Sequence, residues 1–174
     1  MSYKAEEIER QLRIIHACEK GATGVYYGHR ALAKVFFPRI IPDLDEMHAH
    51  ESEHFEIFGA LINSRGSRKA TLPIMWCAGG IVYGLFIALF GVNSIWVSTA
   101  TIEKIVSTEL NLAAKFFKEN DNVIYSAVQK IKLDEEHHHE IASSRAIFTG
   151  ILPNLIQISS TKLSYLAKYL AARV

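Results

Sequence analysis

Glu19, Glu51 and His54 recur, type for type, as Glu103, Glu135 and His138, all three displaced by one common interval. The step from Glu19 to Glu51 equals the step from Glu103 to Glu135, so the chain carries Glu…Glu-x-x-His twice. On an α-helix, residues three apart share a face, which makes Glu51 converge with His54 and Glu135 with His138. Turning all six groups inward gathers four carboxylates and two imidazoles, at great cost unless a cation neutralises them. Two outcomes are open: solvated surface charge, or a metal centre inside a four-helix bundle. The donor set of the second is the one that a two-iron or two-manganese site requires. A lone Glu-x-x-His says little, whereas two copies, each behind a Glu at the same distance, favour the metal centre.

Helical periodicity fits that reading. Ile8, Leu12, Ile15, Glu19, Ala22 and Tyr26 fall at steps of three and four, predicting a first helix from Ser2 to about Phe37. Pro38 and Pro42 bracket a break. A second helix follows from about Pro42 to Asn63, with Leu44, Met47, Glu51, His54, Phe58 and Leu61 on one stripe. A third covers about Pro73 to Phe90. Gly91 to Ser94 forms the next turn, with Ser94 placed to cap a fourth helix that runs to about Glu119 and carries Glu103. Asn120-Asp-Asn breaks it. The fifth runs from Asp121 to about Phe148 with Glu135 and His138, and Gly150 and Pro153 stop it. An amphipathic sixth helix runs from Pro153 to Val174. No strand signal with turn chemistry is present. The fold class is all-α: a ferritin-like four-helix bundle with two additional apolar or amphipathic helices, in one domain over residues 1–174. Its parts are a hairpin (2–63), an apolar connecting helix (73–90), a second hairpin (94–149) and the C-terminal helix (153–174).

Each Glu-x-x-His pair offers one metal a nitrogen and an oxygen while its carboxylate leans toward the second metal; Glu19 and Glu103 each add a terminal oxygen. Four negative charges against two divalent ions give neutrality, and mixed oxygen and nitrogen donors with open positions suit iron or manganese better than structural zinc. Around His138 three frames overlap: Asp134 with His137, Glu135 with His138, and Glu136 with His139. The spacing between the halves selects Glu135 and His138, and leaves Asp134 to support an imidazole. Glu136, His137 and Glu140 belong at the solvated helix edge. His48, His50 and Glu53 crowd the first motif in a similar way. His16 and His29 read as supporting, surface or packing residues, and Cys18 as a small core residue.

The bulk properties narrow the setting. Lys and Arg number 19 against 18 Asp and Glu, a net charge of +1, so there is no basic footprint for nucleic acid. Cys18 and Cys77 match no disulfide or zinc spacing and fit a reducing, cytoplasmic setting. The polar stretch Met1 to Glu9 resembles neither a signal nor a transit peptide.

With these residues in view, the chain resembles the demethoxyubiquinone hydroxylase family of ubiquinone biosynthesis. Leu12-Arg-Ile-Ile-His-Ala-Cys-Glu-Lys-Gly-Ala is similar to the family's His-Ala-Gly-Glu-x-Gly-Ala pattern. Tyr27-Gly, Glu51-Ser-Glu-His54, Pro73-Ile-Met-Trp76, Ala100-Thr-Ile-Glu103 and Asp134-Glu-Glu-His-His138 follow in the family's order. The likeness runs from about Leu12 to Ser160. It implies a carboxylate-bridged di-iron centre that activates oxygen to hydroxylate the ring of demethoxyubiquinol. Glu51 and Glu135 would bridge; Glu19 and His54 would complete one iron, Glu103 and His138 the other. Two positions depart from the pattern: Cys18 replaces a Gly, and Glu109 stands where a His is typical.

No charged residue occurs anywhere from Ala70 to Ile102. Pro73–Phe90 falls short of the ~20 residues of a membrane span. A crossing by the whole run would pull the two halves of the metal set to opposite faces. A wholly buried core helix, an interfacial helix that admits a polyisoprenoid quinone and a true span all stay open. Lys162, Lys168 and Arg173 are candidates to hold anionic headgroups. The leading expectation is a peripheral enzyme on the cytoplasmic side of a bacterial inner membrane, taking a quinol and O2. Other biosynthetic proteins or a second copy are its expected partners. Without a flavin or nicotinamide motif, electrons would come from the quinol itself or a separate donor. The competing expectations are a ferritin-like iron-binding or oxidase protein and a peroxide-reducing bundle.

Overall fold

Two apolar plugs with a polar layer between them account for how the chain packs. The computed structural model describes residues 3–71 and 73–173; Ser2 and Val174, the predicted outer limits of the first and last helices, lie outside them. The elements are α1 (Tyr3–Phe36), a 3-10 turn (Pro38–Ile40), α2 (Ile41–Ser64), α3 (Pro73–Ala88), α4 (Val92–Asn120), α5 (Asn122–Arg145) and α6 (Ile151–Ala171), and no strand occurs among the described residues. Helices α1, α2, α4 and α5 form the bundle; α3 lies on α1, and α6 lies mainly on α4. At one end Leu12, Phe58, Leu110, Phe117, Ile124 and Ile131 pack together. At the other, Tyr26, Leu44, Met47, Ile95, Trp96 and Ala142 do so. The six doubled residues fall between these plugs on all four helices, because each stripe switches from apolar to ligand-type and back within about two turns.

The helix boundaries differ from expectation where side chains intervene. Helix α4 begins at Val92, with Gly91 before it at φ 94°, and Ser94 is no cap: its Oγ donates back to the Phe90 carbonyl at 3.1 Å. Helix α5 ends at Arg145, short of Phe148. The Asn93 amide takes both backbone groups of Ile147, donating to its carbonyl at 2.9 Å and accepting from its N–H at 2.7 Å, which draws the chain out of the helical ladder. Pro153 does not stop a helix. It sits in the first turn of α6, where no N–H partner is required. The Asn120-Asp-Asn break is as read: Asp121 caps α5 by accepting from the N–H groups of Val123 and Ile124, both at 3.0 Å.

Helix α3 meets α1 backbone to backbone. A methyl group placed on Gly80 would lie 2.1 Å from the Gly21 carbonyl oxygen, and one on Gly24 would lie 2.2 Å from that of Cys77. The opposite side of α3 is apolar and exposed: Ile74, Met75, Val82 and Phe86 are all more than half accessible. The helix is therefore not the wholly buried core element that the sequence left open. None of the helices is long and apolar enough to cross a membrane, among the described residues.

Neighbouring glycines of α3 make opposite predictions. Gly80→Ala must push two backbones apart and costs about 1–3 kcal/mol. Gly79→Ala meets nothing within 4 Å and gains up to about 1 kcal/mol from helix propensity. Urea denaturation of both variants checks the pair.

Candidate metal centre

All six doubled residues arrive in the central layer with side chains buried, none more than 3% exposed. Helix α1 brings Glu19, α2 brings Glu51 and His54, α4 brings Glu103, and α5 brings Glu135 and His138. They form two overlapping sets, Glu19, Glu51, His54 and Glu135, and Glu51, Glu103, Glu135 and His138. Within each set one donor atom per residue lies within 4.8 Å of all the others, so each set can hold a metal ion. Glu51 and Glu135 belong to both. His54 Nδ1 is 3.0 Å from Glu135 Oε1 and 3.8 Å from Glu19 Oε2, and His138 Nδ1 is 3.6 Å from Glu135 Oε2 and 3.7 Å from Glu51 Oε1.

The polar atoms facing the middle of this layer lack what buried polar atoms normally have. His54 Nδ1, His138 Nδ1, Glu51 Oε1 and both Glu135 carboxylate oxygens have no hydrogen-bond partner of acceptable geometry. Leaving several such groups unsatisfied in a packed core is expensive. Divalent cations between them would satisfy every one, so the donor set fits a metal pair. With protons alone the layer compromises. Burial, then repulsion from Glu135, pushes Glu19 up to about 7, and the same two causes hold Glu51 and Glu103 well above the usual carboxylate range. For Glu135, burial is overcome by the polar groups of Glu103, His138 and His54 that face it, and its value falls below the ordinary one. Burial likewise opposes charge on His54, but Glu135 and Glu19 lift it to about 9.

Around this layer the supporting residues are only partly those the sequence suggested. Asp134 does support an imidazole, and it is the one across the bundle: its Oδ2 lies 3.1 Å from His54 Nε2. His139 is not at the centre; its Nδ1 meets the Ala100 carbonyl at 2.9 Å and ties α5 to α4. His137 is exposed and Glu136 half-buried, paired with Lys132 at 3.3 Å, in keeping with the helix edge. His16 stacks on Phe55 with centroids 4.2 Å apart, a packing role, and His29 is fully buried. Two residues were missed. His50 places Nδ1 3.0 Å from His138 Nε2. Tyr26, buried two turns from Glu19 on the same stripe, donates its hydroxyl to Glu103 Oε1. For His50 the signal was available, since it precedes His54 by the same step by which Asp134 precedes His138. For Tyr26 only its place on the Glu19 stripe hinted at it.

Beside Glu19 opens a cavity of about 380 Å³ between α1, α3, α4 and α6, walled mainly by apolar side chains. Ile102, Val106 and Leu110 form part of its wall, and the exposed Met75, Leu166 and Leu170 stand at its rim. Cys18 lines it too, and burial pushes its thiol up to about 12, so it stays uncharged. Glu109 and Lys168 join α4 to α6 as an ion pair on the same wall. Lys168 pairs with Glu109, and the Arg173 guanidinium lies 3.3 Å from the centre of the Tyr169 ring, so two of the three candidate headgroup cations also have partners within the protein.

The pKa shifts fix the sign of a pH effect on metal-stripped protein. Glu19 and His54 are both raised, so the stability they contribute is fully present below their unfolded values and is lost as pH climbs through the folded ones. Chelated protein therefore melts at a lower temperature at about pH 8 than at about pH 5.5, and a divalent ion, which replaces the protons, raises the melting temperature more at the higher pH. Differential scanning calorimetry with and without chelator reads both trends.

Comparison with known proteins follows this geometry. Residues 6–162 match the family model described as Ubiquinone biosynthesis protein COQ7. Among similar proteins, the NADPH-dependent 3-demethoxyubiquinone 3-hydroxylase, mitochondrial, of Dictyostelium discoideum is 30% identical over 140 residues, 78% of this chain and 64% of that protein. The human protein of the same name is 25% identical over 171 residues, 94% of this chain and 78% of that one. The 3-demethoxyubiquinol 3-hydroxylase of Legionella pneumophila (strain Corby) is 24% identical over 137 residues, 79% of this chain and 63% of its own length. The chain thus spans just under two thirds of the Dictyostelium and Legionella proteins. With the match running through all four helices that carry the doubled residues, the chain belongs to the COQ7 family.

Proposed function

We propose that this chain is a di-iron, O2-dependent monooxygenase that hydroxylates the ring of demethoxyubiquinol in ubiquinone biosynthesis. The observation that carries the reading is the cavity: one wall includes Glu19 of the carboxylate layer, and the rim is made of exposed apolar residues on α3 and α6. A ring on a long hydrocarbon tail fits that path, with the ring against the layer and the tail leaving between the two outer helices. Glu51 and Glu135, which belong to both sets, would serve both ions; Glu19 and His54 would complete the hold on one, and Glu103 and His138 on the other. The iron pair, when bound, supplies the oxygen-activating redox chemistry, and manganese is the nearest substitute.

The protein's own contribution is placement and exclusion. The two apolar plugs keep water from both ends of the layer, and the apolar cavity wall holds the ring at its side. The Tyr83 hydroxyl, within 2.6 Å of Ser160 Oγ and 3.0 Å of Ser98 Oγ, gives that wall a local polar patch able to meet ring oxygens. Exposed apolar residues of α3 and α6, including Ile74, Phe86, Ile151 and Leu155, support peripheral seating on a lipid surface. The unpaired Cys18 and Cys77 suit the reducing, cytoplasmic face of a bacterial inner membrane.

Anaerobically reconstituted protein is expected to bind two irons, and Glu135→Ala to lose both; full stoichiometry in that variant would refute bridging. Wild-type protein restores ubiquinone in a strain accumulating demethoxyubiquinone, whereas iron-loaded, well-expressed protein that fails to do so removes this substrate. Ala22→Phe narrows the cavity and is expected to raise KM about tenfold or more with iron content unchanged. Parallel assays with reduced quinol alone and with quinone plus NADPH distinguish the electron sources.

A further inference from the structure

The displacement that relates the halves, His54 to His138, also carries His50 onto Asp134. In the fold these two positions do the same thing with different chemistry. Asp134 reaches from α5 to His54 Nε2 on α2 at 3.1 Å, and His50 reaches from α2 to His138 Nε2 on α5 at 3.0 Å. Both imidazoles turn an unpartnered Nδ1 toward the carboxylates, which leaves Nε2–H as the outward donor. With Nδ1 given to a metal, His54 would donate to the carboxylate of Asp134, and His138 to a ring nitrogen of His50 instead of a carboxylate. A carboxylate acceptor makes a metal-bound imidazole more basic, and its loss characteristically weakens metal affinity about 10–100-fold.

An independent observation points the same way. Tyr26 donates to Glu103, drawing electron density from a carboxylate that serves only the His138 side. The same displacement carries Tyr26 onto Leu110, which has no hydroxyl to offer. Both differences weaken the donors on one side and spare the other.

We propose that the two metal positions are inequivalent by construction: the position of Glu19 and His54 fills first and holds tightly, while that of Glu103 and His138 fills second and exchanges, with His50 and Tyr26 as the positioning residues that set the difference. The inference rests on the reading that the layer binds two divalent ions.

Titration of chelated full-length protein with Co(II), followed by calorimetry and by the visible d–d bands, tests it. Wild type is expected to bind two ions in separate steps about 10–100-fold apart in affinity. His50→Asp raises the second affinity about tenfold and leaves the first step and its d–d band in place. Tyr26→Phe raises the second affinity by a smaller factor. Asp134→Asn weakens the first step until the two merge. Helical circular dichroism and a thermal melt confirm that each variant is folded; Tyr26→Phe keeps the test informative if the half-buried His50 tolerates no replacement. Two equal sites in wild type, or a second step unmoved by both His50→Asp and Tyr26→Phe, overturn the inference while leaving the metal reading intact. Absence of any Co(II) binding overturns the metal reading itself.

Discussion

Four carboxylates share a buried volume in which one oxygen of each lies within 4.8 Å of donor atoms of its neighbours, and much else in the structure answers to that repulsion. Without cations the layer holds together only by keeping protons where solvated glutamates would release them. The same crowding explains why the layer is enclosed at both ends. An apolar plug at each end holds the four helices at fixed spacing, so the carboxylates cannot separate to relieve their repulsion. The fold stores an electrostatic demand and stabilises it with hydrophobic packing at the two ends.

How much of this was legible in the sequence depended on periodicity. The doubled residues were readable because a helix converts equal spacing into equal direction, and two copies with one displacement leave little room for coincidence. The helical class and the Asp121 break followed from the same local rules. Of the misplaced boundaries, the end of α5 has a tertiary cause. Nothing local to Ala146 announces the end of α5, because the amide that ends it belongs to Asn93, far away in the chain. Lys168 looked like a membrane cation for a similar reason, since its partner Glu109 sits on another helix. His50 reads in the sequence only as a neighbour crowding the first motif, because its position repeats the role of Asp134 with a different residue type.

The cavity and the exposed apolar surface belong together. Helices α3 and α6, the two outside the bundle, close the cavity against α1 and α4 and carry exposed apolar residues, and neither contributes a residue to the carboxylate layer. Charge is absent between Ala70 and Ile102, the stretch that supplies all of α3 and the start of α4.

The glycine contacts between α1 and α3 have a mechanical consequence. Because backbone touches backbone at Gly80 and Gly24, no layer of side chains lies between the helices to absorb a shift by changing rotamer. Helix α3 is registered against the helix that carries Glu19 as a rule is pinned to a drawing. The depth of Glu19 below the outer face of α3 is therefore set by backbone contact rather than by side-chain packing.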